Sequence, residues 1–315
     1  MEKKGKVVIA LGGNAIQAGD GTAEAQQQAI RETVKLLVEI IKLGYQIVIT
    51  HGNGPQVGNI FLQQKIAGTK GIPPMALDTC GAMSQGMIGY WMEKEIDEVL
   101  REQGIEKDVV SIVTRTEVDP KDPAFANPTK PIGPFYTEEE AKEKMEQTGA
   151  KYIEDAGRGW RQVVPSPKPV EIIEYKIIEK LVNSDGIVIC AGGGGIPVCK
   201  EHHKFIGVEA VIDKDLSSEK LAELIDADAL VILTDVQNVY VNYNKPNETA
   251  LNNVTTTEMK QYIDEGQFAK GSMLPKVEAC LEFVEGNDGK KAIIGSLTKA
   301  SDSIKGLSGT IIKNN

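Results

Sequence analysis

The chain has 315 residues, 41% of them hydrophobic, enough to fill the core of one large α/β domain or two modest ones. Its formal net charge of −10, with no run of five or more Lys/Arg, argues against a nucleic-acid partner or an anionic membrane surface. No stretch approaches the roughly 20 consecutive apolar residues a membrane span needs, and the apolar run after Gly5 is too short for a leader, so a non-secreted, non-spanning protein is expected.

Residues 6–11 form a β-branched run ending at Gly12-Gly13, the pattern of a buried strand that delivers a tight turn. From Ala23 the apolar residues Ile30, Val34, Leu37, Val38 and Ile41 fall on one helical face, and Gly44 sits where a helix stop belongs. The pattern repeats with a strand at 45–50, a second glycine turn at His51-Gly52-Asn53-Gly54-Pro55 and a helix at 57–66. A long helix is predicted from 77 to 103, stopped by Gly104, then a strand at 109–113. Such alternation predicts a three-layer αβα sandwich around an open, mainly parallel sheet.

Between residues 117 and 169 the alternation stops: eight prolines crowd a stretch that holds one acidic helix, 138–147. Its aromatics Phe125, Phe135, Tyr136, Tyr152 and Trp160 point to an ordered inserted subdomain, read here as a protruding lid. Alternation resumes with a helix at 170–182, a strand at 186–191 and the run Gly192-Gly193-Gly194-Gly195. Helices at 218–225, 256–265 and 276–285 and strands at 229–234 and 291–294 complete the prediction. The division expected is an N-terminal lobe over 1–225, containing the lid, and a C-terminal nucleotide-binding lobe over 226–315.

Cys80, Cys190, Cys199 and Cys280 contain no C-x-x-C pair and read as free buried thiols of a reducing cytoplasm. His51, His202 and His203 with Cys199 lack a fourth ligand at zinc spacing, so no protein-held metal is expected.

Three glycine turns therefore follow strands, at 12–15, 52–55 and 192–195. Glycine there lets backbone N–H groups approach an anion, and the following helix adds its positive N-terminal end. The chain contains no G-x-x-x-x-G-K-[ST], and none of the three turns spells G-x-G-x-x-G, which disfavours a P-loop enzyme or a Rossmann dehydrogenase.

Ala10-Leu11-Gly12-Gly13-Asn14-Ala15, His51-Gly52-Asn53-Gly54-Pro55-Gln56-Val57-Gly58, Met83-Ser84-Gln85-Gly86, Lys130-Pro131-Ile132-Gly133-Pro134, Gly157-Arg158-Gly159-Trp160-Arg161, the Ala191 to Pro197 run and Ile212-Asp213-Lys214-Asp215 together resemble the carbamate kinases of the amino acid kinase superfamily, nearly end to end. The resemblance implies reversible phosphoryl transfer, ATP and carbamate to ADP and carbamoyl phosphate. It implies that Lys214 and Lys276 flank the nucleotide phosphates, that Asp215 holds both ammonium groups, and that Lys130 reaches in from the insertion. Gly12, Gly13, Asn14, Gly52, Asn53 and Gly54 would cradle carbamate and the moving phosphoryl group, while Tyr243 and Met273 would contact adenine and ribose. Mg²⁺ would arrive on the nucleotide, no general base would be needed because carbamate is already an anionic oxygen nucleophile, and a homodimer is implied.

Two other readings compete. A different amino acid kinase acting on acetylglutamate, aspartate, glutamate or a nucleoside monophosphate would need groups for a larger acceptor, whereas the acceptor motifs here offer mainly Gly and Asn, and about 20 residues after the last predicted strand leave no room for a regulatory module. A nucleotide-sensing module without turnover would not need Lys130, Lys214, Asp215 and Lys276 together.

Overall fold

The structure, a computed structural model, describes residues 4–16, 21–155, 157–285, 287 and 289–315, with Asn14 described in its backbone alone. From the N-terminal end, β1 (Lys6–Leu11), α1 (Ala23–Ile41), β2 (Gln46–His51), α2 (Gly54–Gly68), α3 (Leu77–Glu102) and β3 (Val109–Ser111) follow the predicted alternation. The insertion opens in β4 (Arg115–Val118) and closes in β8 (Pro169–Ile172); between them lie β5 (Lys130–Tyr136), α4 (Glu138–Thr148), β6 (Tyr152–Glu154) and β7 (Trp160–Val164). After it come α5 (Tyr175–Asn183), β9 (Ile187–Ile189), β10 (Ile196–Glu201), β11 (Lys204–Gly207), α6 (Lys214–Leu224) and β12 (Ala229–Thr234). The last stretch holds β13 (Val239–Val241), β14 (Thr249–Leu251), β15 (Asn253–Thr255), α7 (Thr256–Asp264), α8 (Met273–Val284), β16 (Lys291–Ser296), α9 (Ala300–Ile304) and β17 (Thr310–Lys313).

Eight strands form the main sheet in the order β15-β17-β16-β12-β1-β2-β9-β3, parallel at every pairing except β16 with β17. Its central strand shows why. Val7, Ile9 and Leu11 of β1 pack into one apolar cluster with α1, α3 and α9, while Val8 and Ala10 pack into the other with α5, α6 and α8. A strand buried on both faces needs helices on both sides, which parallel crossovers supply. The three-layer αβα sandwich is thus present, and its carboxyl strand ends deliver Gly12, Gly52 and Thr234 to one edge.

The insertion is ordered by a three-stranded sheet, β5-β7-β6, backed by α4, whose start is a capping box between Thr137 and Glu140. Its foot is a separate four-stranded sheet, β11-β10-β4-β8. The helix predicted over 170–182 is not one element: its first residues pair antiparallel with β4, Thr116 opposite Ile172, and the helix begins at Tyr175. The insertion's sheet touches the sandwich closely, because a Cβ on Gly58 of α2 would lie 2.2 Å from the Gly133 nitrogen of β5.

All four cysteines are free and buried. A less expected buried group is Glu219 of α6, 2% exposed, whose Oε2 has no hydrogen-bond partner among the described residues. Burial, reinforced by Glu282 and Glu223 and opposed by Lys220 and Lys168, pushes its carboxyl up to about 7. A carboxyl raised in the folded state binds its proton there more tightly than in the unfolded chain. Its effect therefore sets in as pH rises from the ordinary carboxylate value towards 7, and it lowers stability above that. Glu219→Gln should leave the melting temperature at pH 5 nearly unchanged and raise stability at pH 8 by roughly 2–3 kcal/mol. Thermal unfolding at both pH values checks this, and a difference independent of pH would contradict it.

Candidate active site

The first glycine turn leaves β1 at Gly12, whose N–H donates to the Leu233 carbonyl at 3.0 Å, and coils into a short 3₁₀ turn over Gly13–Ala15. Thr33 of α1 ties that turn down through the Ala15 carbonyl at 2.7 Å. A Cβ on Gly13 or on Gly54 would meet no atom of the described residues within 4 Å, so among them neither glycine is required by packing. The Asn14 side chain lies outside the described residues.

The second turn follows β2. A Cβ on Gly52 would lie 3.5 Å from the Lys214 stem and 3.8 Å from the Gly13 nitrogen, so the two early turns and Lys214 meet at one point. His51 is buried, and its Nδ1 pairs with the Gly52 carbonyl at 2.8 Å. Burial, with a smaller push from Lys214, brings its pKa down to about 4, so the ring is neutral at pH 7 and not a poised proton carrier. Asn53 is also buried, and its Nδ2 donates to Ser84 Oγ of α3 at 2.7 Å.

The third glycine turn lies directly behind the second. All four of its glycines are buried against protein: a Cβ on Gly192 would lie 2.5 Å from His51 Cε1, and one on Gly193 would lie 2.1 Å from Asn53 Nδ2. The Gly194 carbonyl accepts from Thr116 Oγ1 at 2.8 Å and Ser217 Oγ at 2.7 Å. This turn packs against the backs of the site residues, where a side chain at Gly192 or Gly193 would collide with His51 or Asn53.

The charged centre sits on the first turn of α6. Asp213 caps that helix by accepting the Asp215 N–H at 2.9 Å. Asp215, 2% exposed, takes the Lys214 ammonium on Oδ1 and the Lys276 ammonium of α8 on Oδ2 at 3.1 Å. Lys130, at the start of β5, reaches Asp213 Oδ2 at 2.7 Å. Three lysines thus converge on two aspartates, leaving one positive charge in excess.

Burial and the neighbouring Lys276 hold Lys214 below its ordinary pKa, against the pull of Asp215 and Asp213. Burial acts on Lys276 the same way, but Asp215, Asp213 and Asp235 outweigh it and its pKa is raised. Asp213 is pushed up by burial yet ends well below the carboxylate range, because Lys130, Lys214 and the Asp215 N–H all favour its charged form.

Beyond Lys276 a cleft of about 380 Å³ opens between the ends of β12 and α8, lined in part by Asp235, Tyr240, Tyr243, Phe268 and Met273. Tyr243 is 54% exposed and stacks obliquely on Tyr240 at 5.9 Å, and Met273 is the first residue of α8. Both residues named from the sequence, with Lys276, therefore line one wall. Lys270 is exposed on the loop just before α8.

Sequence reasoning brought together every charged residue of this centre except Asp213, the carboxylate that links Lys130 to α6. Its signal was present, since an Asp in front of Lys214-Asp215 is a preferred helix cap, but the helix was expected to begin four residues later.

A profile of the amino acid kinase family matches residues 5–296. The chain is 56% identical over 310 residues to a carbamate kinase of Latilactobacillus sakei, covering 98% of this chain and 99% of that one. It is 58% identical over 292 residues to carbamate kinase 1 of Enterococcus faecium, covering 93% of each. Among solved structures, carbamate kinase from Giardia lamblia bound to AMP-PNP superposes with a TM-score of 0.91 at 47% identity, covering 99% of both chains. With a family match over most of its length, relatives above 50% identity and the lysine–aspartate centre in place, the chain belongs to the amino acid kinase family and, within it, to the carbamate kinases.

Proposed function

We infer that the protein catalyses reversible transfer of a phosphoryl group between ATP and carbamate, giving ADP and carbamoyl phosphate. The observation that carries this reading is the Asp215 bridge: one buried carboxylate holds Lys214 and Lys276 together, Lys214 beside the two open glycine turns and Lys276 on the wall of the nucleotide-sized cleft. A transferred phosphoryl group has little covalent need of the protein; it needs alignment of donor and acceptor and positive charge over its oxygens.

In this reading adenine and ribose rest against Tyr243 and Met273, with the phosphates running past Lys276 to Lys214. Carbamate lies over Gly12, Gly13, Asn14, Gly52, Asn53 and Gly54, where the missing Cβ atoms of Gly13 and Gly54 leave room for it to approach the backbone. Its oxygen attacks in line as the bond to the nucleotide oxygen breaks, and Lys214 and Lys276 balance the charge in flight. No proton is removed from the nucleophile, which suits a site whose buried His51 is neutral and turned to a carbonyl.

Mg²⁺ is proposed to enter on the nucleotide phosphates, where it neutralises their oxygens. Among the described residues no group of three or more His, Cys, Asp or Glu could hold a metal ion, and both oxygens of Asp215 are taken by lysines. The donor set fits an ion carried by phosphate and water, with Asp235 the carboxylate that lines that cleft.

Residues 1–225 are proposed as the acceptor lobe, 117–169 as its lid and 226–315 as the nucleotide lobe. The resemblance to carbamate kinases carries the proposal of a homodimer, and four unpaired thiols suit a reducing cytoplasm. Among the described residues no helix is long and apolar enough to cross a membrane.

A panel of acceptors tests the assignment. With MgATP, carbamate formed from ammonium and bicarbonate should drive ADP release, while acetylglutamate, aspartate, glutamate and UMP should not. ADP release driven by one of those four, with carbamate inert, would replace the assignment with another kinase.

A further inference from the structure

A second cleft of about 380 Å³, sharing no lining residue with the nucleotide cleft, lies between the first glycine turn, the start of α2 and the insertion. Its lining includes Gly13, Pro55 and Asn59 from the sandwich and Phe135, Arg158 and Arg161 from the insertion. The two arginines have different work. Arg161 is largely buried and tied by Nε to the Gly133 carbonyl at 3.0 Å and by Nη1 to Asp155 at 3.1 Å, so it fastens the β6–β7 connection to β5. Arg158 is 61% exposed, and Asp155 at 3.2 Å is its one ion-pair partner among the described residues.

Both guanidinium groups lie over the Phe135 ring, 5.0 and 5.1 Å from its centre, which fixes their height above the cleft. One aspartate serves two arginines, on a protein of net charge −10, and among the described residues the other carboxylate of that turn, Glu154, accepts the Gly157 N–H and is not paired with either arginine. Such a background repels a small anion everywhere except at a local positive mouth. Carbamate is a planar carboxylate that matches the guanidinium fork better than it matches an ammonium, and in carbamoyl phosphate the carbamoyl carbonyl oxygen can accept from the same fork.

We propose that Arg158 is a substrate-binding residue that draws carbamoyl phosphate into the acceptor cleft and holds its carbamoyl end while the phosphoryl group faces Lys214. Held at both ends, the substrate keeps its bridging oxygen in line with the nucleotide. The inference rests on the activity proposed above, and it adds a residue of the insertion to the glycine turns that the acceptor needs.

The test is steady-state kinetics of ATP formation by the full chain, with carbamoyl phosphate and ADP varied separately. Arg158→Gln should raise KM for carbamoyl phosphate about tenfold, the scale of one charge-assisted hydrogen bond, and leave KM for ADP within about twofold. The fall of kcat/KM for carbamoyl phosphate with added salt should flatten in Arg158→Gln and return in Arg158→Lys, which restores charge without the fork. Because the side chain is exposed, unchanged circular dichroism and melting temperature are expected. An unmoved KM for carbamoyl phosphate with an unmoved salt dependence, or an equal rise in KM for ADP, overturns the inference while wild-type turnover stands. No turnover in the wild type removes the activity and this inference together.

Discussion

Lys214→Ala and Lys276→Ala should each lower kcat by roughly 10²-fold or more, the size of effect seen when one preorganised stabiliser of transition-state charge is lost. The reason is specific to this arrangement. Asp215 is almost fully buried, and its two oxygens are matched by the two ammonium groups. Removing either lysine deletes a cation from the proposed path of the phosphoryl group and leaves a carboxylate half-neutralised beside it, so attraction is lost and repulsion is added. The other lysine still holds Asp215, so the fold should survive, as circular dichroism would show. Turnover within a few-fold of wild type in either variant would take that lysine out of the mechanism.

Lys130→Ala should lower kcat/KM for carbamoyl phosphate by about 10²-fold while leaving ADP affinity and the oligomeric state unchanged. Lys130 stands at the first residue of β5 and spans to Asp213, the cap of the helix that carries Lys214 and Asp215. With its side chain 34% exposed it is the most accessible cation of the three, as a group delivered by a closing lid should be. Carbamate is too small to supply much binding energy, so enclosure by residues 117–169 is the proposed means of excluding water. Kinetics unaltered by the substitution, or loss of a dimer as its main effect, would make the insertion a packing appendage.

Where the chain's local signals were strong, the fold was legible. The limits of β1 and β12 agree with their predicted ranges because continuous β-branched runs between Gly and Asp leave one reading. The stretch from Pro169 failed because Val170, Ile173, Ile177 and Leu181 keep a helical spacing, yet tertiary pairing of Ile172 with Thr116 wins over it locally. In the insertion, β5 was hidden by prolines: Pro131 and Pro134 both stand within it, where register shifts between Ile132 and Tyr136, while β6 is only three residues long.

The site divides the same way. Lys130, the Lys214-Asp215 pair and Lys276 lie far apart in the chain, and their meeting became legible through resemblance, not through spacing. The glycines of 192–195 looked like those of 12–13 and 52–54, since a sequence records that a Cβ is missing but not whether protein or ligand fills its place. The pairing of Arg158 and Arg161 with Gly13 across one cleft depends on how β5 and β7 fold back over α2, which no local pattern contains.

The measurement that bears most directly on the account is phosphorus NMR of the purified protein with ADP, Mg²⁺ and carbamoyl phosphate. The ATP γ-phosphate signal should grow in step with loss of the carbamoyl phosphate signal, far faster than carbamoyl phosphate breaks down without protein. Decay of carbamoyl phosphate to inorganic phosphate at its spontaneous rate, with no ATP formed, would contradict it.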